Sequence, residues 1–484
     1  MEDIRRVWED HDPSYIDPRR RWREAWTRVK QWCKQQKTTG ALNLEALEEL
    51  RNRVGVAREE LLPDVPEQTL KDLADLEQRL EEMERREADL WRKRSRTKWL
   101  AQGEAPTKFF FSHAKANFTR EMIHGLEDSQ RGVITAHSEL LSYVHGEYSD
   151  LYNAQVEGRE NRLARQSITQ LVDKALSSEE AGRFDEVPQD EEIEKTVKLM
   201  KIGRAPGLDG VTVEFILKCW AFIRTDCCKM VRAFWSSKSM LERDVRGCIK
   251  LIPKTEERQH LKNWRPVTLM SCTYKIISKL LAGRLRKHLP HLVDLEQTGF
   301  VPGRRIEDNV LTLKMAEEWS RVSAEENLFV KLDFSKAFDR DFMEPVKIKK
   351  GVRQGCPLAP LLFALSTQPL MRALKEAERT GEWKGLRLPN LRFVTHELFA
   401  DDTSVFISAT AGDFRKVKTV IEHFELASGA VLNMQKSLVL ALGRSDAPEW
   451  VRGTDARWQM EQNASNSWAF GQEGGLSKRK WRTR

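Results

Sequence analysis

No stretch of this 484-residue sequence approaches the ~18 consecutive apolar residues that cross a bilayer. The nearest, Pro357–Met371, is broken by Ser366, Thr367 and Gln368, so no membrane-spanning helix is expected. The N-terminus, Met1-Glu-Asp-Ile-Arg-Arg, lacks the apolar core of a signal peptide. Cysteine is sparse and scattered. The seven thiols form no C-x-x-C pair and no Cys/His grouping with zinc-ligand spacing. Their odd number and irregular spacing argue against a disulfide framework or a zinc module, and suit reduced thiols inside a cell. What the chain has in quantity is charge and tryptophan. Its net charge is +8, 32% of residues are charged, and there are 15 Trp. A basic balance of this size fits a polyanionic partner, and the length allows a large core and two or more domains.

Two stretches carry the candidate chemistry. In Phe329-Val-Lys-Leu-Asp-Phe-Ser-Lys-Ala-Phe-Asp339, Asp333 follows Leu328, Val330 and Leu332, an alternation that reads as a buried strand. In Leu398-Phe-Ala-Asp-Asp-Thr-Ser-Val-Phe406, Asp401 and Asp402 interrupt a second apolar run, as at the tip of a β-hairpin. An isolated Asp-Asp pair is most often a solvated turn. Side by side, however, these strands would let Asp333 and Asp401 share one or two Mg²⁺ ions, the arrangement that template-directed polymerases use. Between the acids lies Gly351-Val-Arg-Gln-Gly-Cys-Pro-Leu-Ala-Pro-Leu-Leu-Phe363. Upstream lie Arg204-Ala-Pro-Gly-Leu-Asp-Gly210, Ile252-Pro-Lys254 and Asn263-Trp-Arg-Pro-Val267. With these motifs in this order, residues from about Trp91 to about Gly443 resemble the reverse transcriptase of LINE-type non-LTR retrotransposons.

The resemblance implies an α+β right-hand polymerase, with fingers over 201–325 and a palm over 326–443, behind a helical N-terminal extension (1–90) and a basic RNA-binding linker with helices (91–200). It implies an RNA-directed DNA polymerase with two Mg²⁺ ions, an RNA template, a DNA primer and dNTPs. Asp333 and Asp401 would be the shared metal ligands and Asp402 a supporting acid. Lys436, in Gly429-Ala-Val-Leu-Asn-Met-Gln-Lys-Ser437, would match a lysine that protonates pyrophosphate. Arg265 would meet the triphosphate, partnered by Lys250 or Lys254, since Arg supplies bidentate and Lys point-charge contacts. Phe338 would abut the sugar 2′ position and favour DNA synthesis. Gln354 and Gly355 would lie under the incoming base, with Pro357 starting the helix that follows. Gln297-Thr-Gly-Phe-Val-Pro-Gly-Arg304 resembles a template-contacting loop.

Nearer the N-terminus, Trp8, Trp22, Trp26 and Trp32 alternate with arginines and lysines. This segment is either a helix lying on nucleic acid or, the favoured reading, a helix docked on its own protein. Leu73, Leu76, Leu80, Met83 and Leu90 keep a 3-4 spacing after Pro63 and Pro66, with Glu87 in one of the slots. They predict a helix over 67–91 that pairs in a hairpin with residues 42–62. From Arg92 to Arg120 there are eight Lys/Arg and one acid, among aromatic residues. In the resembled family this segment follows the template RNA, and Arg92, Arg94, Arg96 and Lys98 are the candidate phosphate contacts. A strand is predicted at Ile123–Leu126.

Three departures from the resembled pattern matter. Only eleven residues separate Asp339 from Gly351, where the family has a long helical connection. A thumb is expected after Gly443, yet residues 444–484 are aperiodic and read as disordered or frameshifted. No endonuclease is read ahead of the linker. The expectation is therefore a truncated, internally deleted open reading frame. Its product either still polymerises, or survives as a catalytically dead nucleic-acid-binding remnant, or never folds stably. The nucleus is the expected compartment, with a cytoplasmic ribonucleoprotein as the alternative. The sequence leaves the oligomeric state open.

Overall fold

The structure is a computed structural model that describes residues 1–10, 17–39, 44–59, 67–95, 123–128, 131–152, 158–323, 325–334, 355–388, 393–433, 436–442 and 459–461. The chain forms two compact units, one of residues 2–11 and 24–126, the other of residues 12–23 and 127–484 together with Met1.

The first unit is helical. Helix α1 (Glu2–Glu9) sets Trp8 edge-on against Trp26 of α2 (Pro18–Thr39), ring centroids 4.9 Å apart, and both rings are buried. Helices α3 (Leu44–Glu59) and α4 (Glu67–Ser95) form the expected hairpin around Leu47, Val54 and Leu73. Arg51 reaches Glu84 at 2.9 Å and Glu87 at 3.3 Å, and Arg58 reaches Glu77 at 2.6 Å, which fixes the two helices antiparallel. Glu87, which breaks the apolar spacing in the sequence, is buried because the Arg51 guanidinium neutralises it.

The second unit mixes helix and sheet, as the α+β expectation requires. In chain order it contains α5 (Arg159–Gln170), α6 (Asp190–Lys198) and α7 (Val213–Ser237), then an antiparallel ribbon of β1 (Gly247–Pro253) and β2 (Trp264–Met270), then α8 (Cys272–Leu292) and α9 (Ile306–Ser323). Ile193 and Val197 turn inward from α6, with Met200 just beyond it, as their spacing predicts. Thr212 caps α7 by accepting from Phe215 N–H. Asp209 of the Arg204–Gly210 motif accepts from the backbone N–H of Cys272 at 2.6 Å, so this motif buttresses the start of α8. Trp22 is buried and donates to Thr273 Oγ1 at 3.0 Å. Trp8, Trp22 and Trp26 are thus docked on protein, the favoured of the two readings.

A five-stranded sheet follows, with strands β3 (Asn327–Leu332), β4 (His396–Phe399), β5 (Asp402–Ser408), β6 (Leu438–Leu442) and β7 (Gln459–Glu461) in the order β7-β6-β3-β5-β4. Only β6–β7 is parallel. Helices α10 (Ala359–Ser366), α11 (Gln368–Arg379) and α12 (Ala411–Ser428) belong to the same unit. Leu328, Val330, Leu332, Val405, Ile407 and Val439 pack on one face against α5, α11 and α12. Phe329, Phe406, Leu440 and Leu442 pack on the other against Ala316 of α9. With both faces covered, β3 carries apolar residues on both sides and is the buried strand that its pattern predicts.

Three local expectations need correction. The strand expected at Ile123–Leu126 runs instead over Leu126–Asp128, because the polar Glu127 and Asp128 still extend the two-stranded pairing with Gly132–Ile134. Pro357 does not start a helix. Leu358 is the N-cap of α10 and Pro360 sits in its first turn, where a missing N–H costs nothing. Of the tail after residue 443, expected to be disordered or frameshifted, the described residues Gln459–Glu461 add a strand to β6, satisfying backbone groups that this edge would otherwise leave open.

Candidate active site

The sheet register brings the acids together. Phe329 pairs with Phe406, Lys331 with Ser404 and Leu332 with Thr403, so continuing the ladder by one residue sets Asp333 opposite Asp402. Directly opposed residues share a face, so Phe329/Phe406, Lys331/Ser404 and Asp333/Asp402 form a column from the core outward. The phenylalanines anchor its base, with centroids 5.4 Å apart. Lys331 Nζ lies 3.9 Å from Asp402 Oδ1, a half-exposed pair worth under about 1 kcal/mol. Burial raises the Asp402 carboxyl above its ordinary range. Lys331 opposes this, the nearby Asp333 adds to it, and Lys436 opposes it. Asp333 and Asp402 are therefore within electrostatic reach of each other and of two lysines.

Asp333 is held from a second side. Its N–H donates to Ser437 Oγ at 3.1 Å, its carbonyl accepts from Asn433 N–H at 2.7 Å, and its Oδ2 accepts from Asn433 Nδ2 at 3.2 Å. Ser437 is fully buried and donates to Asn433 O at 2.9 Å. Asn433 and Ser437 thus flank the first acid, with Lys436 exposed beside Ser437.

Between β4 and β5, Phe399 pairs with Asp402, leaving a two-residue turn of Ala400 and Asp401. Asp401 sits on the turn and Asp402 opens β5, so of the two acids expected at the tip only Asp401 lies in the turn itself. Ala400 has φ +60°, a left-handed conformation that costs a non-glycine residue roughly 1–2 kcal/mol. The buried Gln297 side chain pays for it with hydrogen bonds. Gln297 Oε1 accepts from Ala400 N at 2.9 Å and from Gly299 N at 2.9 Å, and Gln297 Nε2 donates to Ala400 O and to Thr367 Oγ1, both at 3.2 Å. A Cβ on Gly299 would lie 2.2 Å from Ala400 N, so only glycine lets the two segments approach.

The other predicted residues distribute as follows. Lys250 and Arg265 lie on paired strands, Lys250 opposite Val267 and Arg265 opposite Ile252. Arg265 and Lys254 are exposed and Lys250 half-buried. Gly355 has φ +103°, and a Cβ there would meet Thr268 O at 2.8 Å. Next to it, the Cys356 thiol lies 3.4 Å from Tyr274 Oη of α8. The Gly355 end of the central motif is thus seated on β2, the strand that carries Arg265. Arg92 and Arg94 fall in the last turn of α4. Arg96, Lys98, Phe338 and Gln354 lie outside the described residues.

Residues 252–340 and 341–463 match the profile of the family described as reverse transcriptase (RNA-dependent DNA polymerase). The chain is 24% identical to the transposon TX1 uncharacterized 149 kDa protein of Xenopus laevis, over 92% of this chain and 36% of that protein. It is 25% identical to the retrovirus-related Pol polyprotein from the type-1 retrotransposable element R2 of Popillia japonica, over 53% of this chain and 39% of that one. The matched region belongs to the LINE-type reverse transcriptases. The family so described is one of RNA-dependent DNA polymerases. A short segment, 11% of the chain, is also 45% identical to the uncharacterized mitochondrial protein AtMg01250 of Arabidopsis thaliana. The chain spans between a third and two fifths of the length of the first two relatives. The two stretches of its family match meet between Arg340 and Asp341, inside the eleven-residue connection between Asp339 and Gly351.

The local sequence pattern does not single out Asn433, Ser437 or the part of Gln297 in the turn. Gln297 and Arg304 belong to the stretch expected to contact template, but both side chains are committed inward. Gln297 has no exposed surface, and Arg304 donates to the carbonyls of Pro290, Val293 and Gln297. The one available signal was the polar Gln-Thr pair next to Gly299, in a chain segment that must approach another backbone closely.

Proposed function

We propose that this domain extends a DNA 3′ end on an RNA template, with the five-stranded sheet as the palm and the β1–β2 ribbon as part of the fingers. The observation that carries the reading is the sheet register, in which Leu332 pairs with Thr403, so that Asp333, just beyond β3, and Asp402, at the start of β5, come within electrostatic reach of each other. Among the described residues no group of three or more His, Cys, Asp or Glu is assembled for a metal. Mg²⁺, however, is ordinarily held by one or two carboxylates together with substrate phosphates and water. Asp333 with Asp401 or Asp402 fits that demand, and so does the electrostatics, since a cation between Asp333 and Asp402 would favour the charged form of Asp402, which burial chiefly disfavours and the nearby Asp333 disfavours further. When bound, the two ions activate the attacking 3′-hydroxyl and stabilise the leaving pyrophosphate. The chain's own residues orient the carboxylates through Asn433 and Ser437. Arg265 with Lys250 or Lys254 meets the triphosphate, Phe338 screens the sugar, and Gln354 and Gly355 support the base. Lys436 supplies a proton to pyrophosphate. Arg92, Arg94, Arg96 and Lys98 hold template phosphates.

The test is primer extension on poly(rA)/oligo(dT) with dTTP and Mg²⁺, with Asp401→Ala beside the wild type. Extension by the wild type that disappears in the variant is the expected result. A soluble, folded wild type that extends nothing overturns the reading. A second reading, RNA binding without synthesis, is favoured by the family match that breaks inside the shortened connection. Its signature is a salt-dependent RNA shift in the absence of any extension.

A further inference from the structure

We propose that Gln297 is a positioning residue that sets the conformation of the Ala400–Asp401 turn, and through it the placement of Asp401 and Asp402. The link to metal rests on the polymerase reading above, whereas the clamp itself does not.

The side-chain amide of Gln297 has two donor and two acceptor positions, and all four are used. Two of its bonds go to the N–H and the carbonyl of one residue, Ala400. Gripping both polar groups of a single residue fixes the orientation of the peptides on either side of it. Ala400 is the residue with φ +60°, and the peptide after it leads into Asp401. The remaining two bonds tie the amide to rigid neighbours. Gly299 N–H donates to it, and Thr367 Oγ1, which accepts from it, itself donates to Ala364 O at 2.9 Å at the end of α10.

Backbone contacts keep the clamp in register. Leu398 N–H donates to Glu296 O at 2.8 Å, and Thr298 N–H donates to Leu398 O at 2.9 Å, so residues 296–298 run beside β4 as a short parallel bridge. Arg304 fastens the far end of the same segment by donating to Gln297 O at 2.8 Å. A buried glutamine that served packing alone would have no reason to spend its bonds on the two ends of one strained residue. The geometry also explains why the segment carries glycine at 299, since the approach to Ala400 leaves no room for a side chain.

The experiment uses the full chain. Site-resolved hydrogen exchange of the wild type comes first, and the Ala400 amide is expected among the protected ones. Rapid exchange there overturns the proposal without any variant. Gln297→Glu keeps the size but loses the donors to Ala400 O and Thr367, and Gln297→Met loses every bond. Each is expected to speed exchange of the amides of residues 399–402 about tenfold while β3 stays protected. Unchanged exchange in a folded variant overturns the clamp. Mn²⁺ binding, followed by electron paramagnetic resonance, then reads the consequence for the carboxylates and is expected to weaken about tenfold. Faster exchange with undiminished Mn²⁺ affinity overturns the claim that the turn places the acids. A wild type that neither binds Mn²⁺ nor extends primer sinks the polymerase reading, and leaves the clamp to be judged by exchange alone.

Discussion

Replacing Glu397 by Gln should make the protein more stable in mildly alkaline solution and leave its stability little changed in acid. Glu397 lies on β4, three residues before Ala400. Burial pushes its carboxyl up from 4.5 to about 8, with Glu296 and Asp308 adding to the shift and a hydrogen bond to Thr312 opposing it. The folded protein therefore holds a proton on Glu397 that the unfolded chain releases above pH 4.5. Stability from this group is present below pH 4.5 and is lost as pH rises to about 8, at roughly 1.4 kcal/mol per pH unit. The adjacent His396 acts in the opposite sense. Burial lowers its imidazole from 6.5 to about 4, so the unfolded chain binds the extra proton and stability rises with pH between those values. From pH 4.5 to 6.5 the two slopes cancel. From pH 6.5 to 8 only Glu397 acts, and about one and a half pH units cost about 2 kcal/mol. Urea unfolding of wild type and Glu397→Gln at pH 6.5 and 8.5 measures this directly. The variant should gain about 2 kcal/mol relative to wild type over that interval. Parallel curves for the two proteins would show that Glu397 ionises normally, and that the wall of α9 beside β4 is wet.

Two further outcomes follow from the geometry. Gly355→Ala should destabilise by about 1–3 kcal/mol, because φ +103° is left-handed and the new methyl would press on Thr268 O; a chemical denaturation midpoint equal to wild type would mean that the Gly355 segment does not dock on β2. Trp22→Phe should cost about 1–3 kcal/mol, since it strands the buried Thr273 hydroxyl that Trp22 now meets at 3.0 Å. Thr273→Val in the same background should recover part of that loss, and a double-mutant cycle with no coupling would refute the contact.

How much was legible in the sequence follows from the range of each interaction. Phe414, Val417, Ile421 and Phe424 predict α12 and its inward face because helical periodicity is local, and all four are buried. The strands around Asp333 and Asp402 are legible for the same reason, as apolar runs interrupted by acids. The break at Ser366-Thr367-Gln368 correctly divides one apolar stretch, and α10 ends where α11 begins. Glu87 shows the reverse case. It looked like a flaw in a helix, and its explanation stands 36 residues away in Arg51.

The sequence by itself determined the elements, the acids they carry and the family to which the motifs belong, because propensity, apolar spacing and motif order are properties of neighbouring residues. Which acid faces which was decided only by the tertiary structure. The pairing of Leu332 with Thr403 sets Asp402 rather than Asp401 across from Asp333, and a slip of one residue would turn that carboxylate to the opposite face. Tertiary structure alone also brought Asn433 to Asp333 across 100 residues and Gln297 to Ala400 across 103. A buried amide finds its partner wherever folding leaves a backbone group unpaired, and no local pattern in the chain records where that will be.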